Sequence, residues 1–66
     1  MGEHTRRVRE WLLGHDEVQR WVRGQPARPL LRAGALRQMA DKAREQLVGV
    51  DFDAVDWEGI VRDVFN

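Results

Sequence analysis

The stretch DFDAVDWEGIVRDVFN (residues 51–66) decides how this chain is read. Trp57, Ile60, Val61, Val64 and Phe65 fall at i, i+3, i+4, i+7 and i+8, the spacing that aligns side chains along one face of an α-helix. Ahead of them, Asp53 reads as the N-cap and Asp56 as the third helical position, with Phe52 placed to pack on Trp57 as a hydrophobic staple. Asp51, Asp53, Asp56 and Glu58 sit in or just before the first turn, where each carboxylate complements the positive end of the helix dipole by about 0.3–1 kcal/mol. A helix over residues 53–65 is expected, and its apolar face must be covered by something.

Working back from there, Gly49 closes a longer helix expected over about 29–48. Its inner face should carry Ala33, Leu36, Met39, Ala40, Ala43 and Leu47, with Arg37, Asp41, Lys42, Arg44 and Glu45 in water. Gly34 interrupts this pattern and can leave PLLRA (29–33) as a separate turn. GQPARP (24–29) is the connector: each Pro biases the preceding residue away from helix, and Pro29 suits the first turn of the next one. Further back, VREWLLGHD (8–16) and VQRWVRGQP (18–26) echo one another at an offset of ten residues, each with Val, Trp three on, an apolar neighbour and then Gly. They read as two short helices, 3–13 and 16–23, ended by Gly14 and Gly24, with Asp16 and Gln19 as a capping pair for the second. The rival is one continuous helix through Val8, Trp11, His15, Val18 and Val22. An interior Gly costs about 1 kcal/mol relative to Ala, and a cap at Asp16 gives the chain a reason to restart, so the break at Gly14 is favoured.

The expected fold is therefore all-α, a single domain over residues 1–66 of three to four short helices, either a compact bundle or an entwined homodimer. A chain of 66 residues buries only about 60% of the surface its unfolded form exposes. With no Cys there is no disulfide or zinc-thiolate staple, and self-association or a partner is the remaining way to gain core. No apolar run approaches the roughly 20 residues of a membrane span, and MGEHTRRVRE (1–10) lacks a signal peptide's apolar centre. Arg6 stands where a myristoylation signal needs Ser or Thr. A cytoplasmic protein without membrane contact is expected.

Catalysis fails on inventory. There is no Ser, Cys or Tyr, which leaves Thr5 near a frayed terminus and Lys42 on a solvated face as candidate nucleophiles. His4 and His15 have no HExxH-type partner spacing for a metal. VDFDAVD (50–56) looks like the nucleophile motif of haloacid-dehalogenase-type phosphatases, but that motif needs a strand and a large doubly wound domain after it. As a calcium loop counted from Asp51 it has Val55, Asp56 and Arg62 where an oxygen ligand, Gly and Glu are required. No enzymatic activity, cofactor, metal or small-molecule substrate is expected.

The charge distribution is uneven. Residues 1–50 hold ten Arg or Lys against six acids, and residues 51–66 hold one against five, so a surplus of four positive charges faces a surplus of four negative ones. Aromatic residues and Arg are the enriched anchors of protein interfaces, so the first functional reading is a small non-enzymatic regulator or adaptor that binds protein. Its interface candidates are the Trp57, Ile60, Val61, Val64 and Phe65 face, or the Trp11 and Trp21 face. The alternative is a nucleic-acid-binding regulator of the small antitoxin-like or phage-like kind, using Arg6, Arg7, Arg9, Arg20, Arg23, Arg28 and Arg32. Against it stand a sequence pI near 6.7 and interleaved acids expected to pair within helices as Glu3/Arg7, Arg6/Glu10, Glu17/Arg20 and Arg37/Asp41.

Overall fold

A computed structural model describes all 66 residues and contains helices only. The order is α1 (Glu3–Leu13), α2 (Asp16–Arg23), α3 (Pro29–Lys42), 3₁₀ turns at Arg44–Gln46 and Phe52–Ala54, and α4 (Trp57–Phe65). The chain folds on itself as a globule of 30 × 22 × 17 Å.

The break at Gly14 is present. His15 takes an extended conformation (φ −131°, ψ 90°) and turns the chain into α2. Gly14 itself has φ −89°, so no left-handed backbone is involved. What holds the corner is a collection of α1 carbonyls by side chains: His15 Nδ1 lies 2.7 Å from Trp11 O, and Gln19 Nε2 donates to Leu12 O at 3.0 Å and Leu13 O at 3.3 Å. These are carbonyls that a helix end leaves without intrahelical donors. Gln19 thus closes the end of α1 instead of forming a capping pair with Asp16, and the N-cap of α2, His15, makes no side-chain cap.

The corner after α2 is closed by Arg32, whose guanidinium donates to Arg23 O at 3.0 Å and Gln25 O at 3.4 Å. Pro29 opens α3 as its composition implies. The helix ends at Lys42, six residues short of the expected Val48. At 1.5 Å per residue a continuous helix would carry Leu47 about 7 Å beyond Lys42 along the axis. Instead Ala43 (φ −112°, ψ 32°) breaks it, the 3₁₀ turn folds back, and Leu47 is buried. Gln46 on that turn accepts the Trp11 indole N–H at 2.9 Å. Gly49 has φ +84°, the single left-handed residue in the chain, and no side-chain-bearing residue fits there without strain.

The α4 cap also differs from expectation. Asp56, not Asp53, is the N-cap, its Oδ1 accepting from Gly59 N–H at 3.0 Å. Asp53 lies inside the preceding 3₁₀ turn, which Asp51 caps at 3.0 Å. The Phe52–Trp57 contact survives the change of register as an edge-to-face pair with centroids 5.4 Å apart, fixed by Trp57 Nε1 donating to Phe52 O at 3.0 Å.

α4 runs antiparallel along α3, as Arg37 over Trp57 and Arg32 over Phe65 show. The two close a core with α1 and α2. It holds Val8, Trp11 and Leu12 from α1, Val18 and Val22 from α2, and Ala33, Leu36 and Ala40 from α3. Leu47, Phe52, Val55, Trp57, Ile60 and Val61 complete it. No buried side-chain nitrogen or oxygen lacks a partner. No helix is long and apolar enough to cross a membrane.

Candidate functional site

The face proposed first for a partner lies inside the fold. Trp57, Ile60 and Val61 are 8%, 0% and 2% exposed, and Val64 and Phe65 are half-buried against the core. Phe65 is further covered by the guanidinium groups of Arg23 and Arg32, 5.4 and 5.9 Å from its ring centre. The α4 face is thus largely covered within the fold, fully at Ile60 and Val61 and partly at Val64 and Phe65. Trp11 is core as well; Trp21, on the outer side of α2, is half exposed.

The arginines separate into two groups. Arg7 donates to Val48 O at 2.6 Å, Arg9 pairs with Asp63 at 2.5 Å, and Arg23 and Arg32 lie over Phe65. Arg37 lies over Trp57 and pairs with Asp53 at 2.8 Å; Arg44 lies over Phe52 at 4.4 Å and pairs with Asp41 at 2.6 Å. These residues serve the fold, offering a flat cation to an aromatic face and donors to carbonyls and carboxylates. None of the four expected intrahelical pairs forms; the only pairs within one helix or its end are Arg62 with Glu58 and Arg44 with Asp41. Arg6, Arg20 and Arg28 are the members of the nucleic-acid set with no ion pair, side-chain hydrogen bond or aromatic contact in the molecule.

The charge surplus at the two ends of the chain is therefore partly matched internally. Asp63 meets Arg9 and Asp53 meets Arg37, while the Asp51 backbone N–H donates to His4 Nδ1 at 3.1 Å. Thr5, expected near a frayed end, is 6% exposed and accepts Asp56 N–H at 3.0 Å.

Two surface features remain. The first is a cleft of about 410 Å³ between α2 and the end of α3, floored by Trp11, Val18, Met39 and Ala43 and walled by Trp21 and His15. Glu17, Lys42, Glu45 and Gln46 form its polar rim. The second is a pair of leucines at the start of α3. Leu30 is 72% and Leu31 49% exposed, and Leu30 borders a depression of about 530 Å³ between α3 and α4. Neither leucine is among the interface candidates expected from the sequence, although the signal was there. They stand off the Ala33, Leu36, Ala40 stripe, so a helix that buries this stripe turns them outward.

No protein-family model, curated protein or solved structure matches the chain.

Proposed function

We propose that the chain is a small non-enzymatic binding module, a regulator or adaptor that holds a protein partner in the Trp21 cleft. The observation that carries this reading is the half-exposed indole of Trp21 beside an apolar floor, in a molecule that buries its other two tryptophans to 8%. Tryptophan is among the residues that dominate interface energetics when a partner completes its burial. A helix or extended segment bringing one apolar side chain over Val18, Met39 and Ala43 would do so. Glu17, Lys42 and Glu45 on the rim would select its orientation by charge.

The test is photo-crosslinking in native extract from a probe at position 45. The proteins captured by the wild-type chain should be lost with Trp21→Asp, whose circular dichroism should match wild type because the side chain is outside the core. The same captured set from Trp21→Asp would refute the reading.

For the nucleic-acid reading, Arg6, Arg20 and Arg28 are the candidate arginines free of intramolecular contacts. Three phosphate contacts give a log–log salt slope of about −2.7, or roughly a 40-fold loss of affinity between 50 and 200 mM salt. A DNA or RNA titration with no binding at low salt removes it.

A further inference from the structure

Gly34 sits inside α3, has no positive φ, and a Cβ built on it meets nothing within 4 Å. A helix-interior Gly costs about 1 kcal/mol relative to Ala, and nothing within the folded chain repays it. Gly34 lies one turn beyond Leu30 on the same exposed face, and it lines the depression of about 530 Å³ together with Ala33, Val55 and Gly59. One molecule thus carries both an apolar knob, Leu30, and beside it an open notch at Gly34, with Arg37, Asp56, Glu58 and Arg62 around the same depression.

We propose that the chain self-associates about a two-fold axis crossing α3, each Leu30 seating over Gly34 of the other copy. Knob and notch four residues apart on one helix are reciprocal under an antiparallel two-fold, the isologous geometry of cyclic dimers. The charges agree with that register. Arg28 lies two residues before Leu30, about 3 Å further along the axis, and so advances toward the end of the neighbour's groove where α4 begins. That end carries Asp56, whose Oδ1 holds the α4 cap while Oδ2 accepts no hydrogen bond within the chain. Arg28 has no intramolecular partner, so an exposed cation meets a half-used carboxylate in each half of the dimer. A specific interface removes about 1,000 Å² or more in total, roughly an eighth of the 4259 Å² each copy exposes. The contact must extend past the knob to Pro26, Leu31 and the lip of α4.

This dimer is independent of the Trp21 cleft, which lies on the other flank of α3. Sedimentation velocity of the full chain from micromolar to millimolar concentration should show reversible dimerisation. Gly34→Gln fills the notch without touching the core, so it should remain monomeric over that range while melting at least as high as wild type. Leu30→Asp should also be monomeric, Arg28→Glu should weaken dimerisation several-fold, and Trp21→Ala should dimerise as wild type does. A wild-type chain that stays monomeric at millimolar concentration overturns the proposal. So does a Gly34→Gln chain that dimerises normally, or an association lost with Trp21→Ala but kept with Leu30→Asp.

Discussion

Asp56 and Gly59 show how one residue dictates another. A Cβ at position 59 would come within 2.3 Å of Asp56 Oδ2 and 2.7 Å of its Cγ, so the cap and any larger residue at 59 exclude each other. Gly59→Ala should therefore destabilise by about 1 kcal/mol, the worth of the lost cap. In an Asp56→Ala background the same change should stabilise, because only the helix preference for Ala remains. A double-mutant cycle by urea titration reads this reversal of sign. At Gly49 the reason is backbone: with φ +84°, Gly49→Ala should cost about 1–2 kcal/mol in the same titration. The cap at Asp53 was misread because Asp51, Asp53 and Asp56 all satisfy the local rule for an N-cap. Thr5, which accepts the Asp56 amide across the molecule, gives Asp56 a second anchor.

At the scale of elements, the number of helices, the corner at Gly14 and the apolar stripes were legible, because each depends on neighbours within two turns. The end of α3 and the roles of the arginines were not. Glu3/Arg7 and Arg37/Asp41 have a spacing suited to pairing, but such exposed pairs are worth only about 0.3–0.5 kcal/mol. Arg37 instead finds Asp53 and the face of Trp57, partners set by the packing of α4 on α3. Arg32 is the clearest case, joining the end of α2, the start of α3 and Phe65 of α4. Arg32→Ala should cost about 1–2 kcal/mol through two bare carbonyls and an uncovered ring, whereas Arg6→Ala should stay within about 0.5 kcal/mol of wild type. Thermal melts of the two variants check the contrast. The acidic approach to α4, by comparison, has a local cause in the helix dipole and a distant one in Arg37 of α3, which pairs with Asp53, and only the first was readable.

For the whole molecule, the expectation that so short a chain exposes surplus apolar surface holds in altered form. Two of three indoles, Ile60 and Val61 are enclosed, Val64 and Phe65 are half-buried, and the large apolar side chains left outside are Met1, Leu13, Trp21, Leu30, Leu31 and Val48. The margin is still thin. A chain of this length has about 3–10 kcal/mol of stability, and Leu36→Ala, at a fully enclosed site, should remove about 2–5 kcal/mol. Circular dichroism at 37 °C should show that variant substantially unfolded. Finally, α1 is joined to the α4 region by contacts far apart along the chain: Thr5 accepts the Asp56 amide across 51 residues, and Arg9 pairs with Asp63 across 54. Closures of that span come at a greater entropic cost than the neighbouring α1–α2 and α3–α4 contacts, so the docking of α1 on α4 should be a late step of folding.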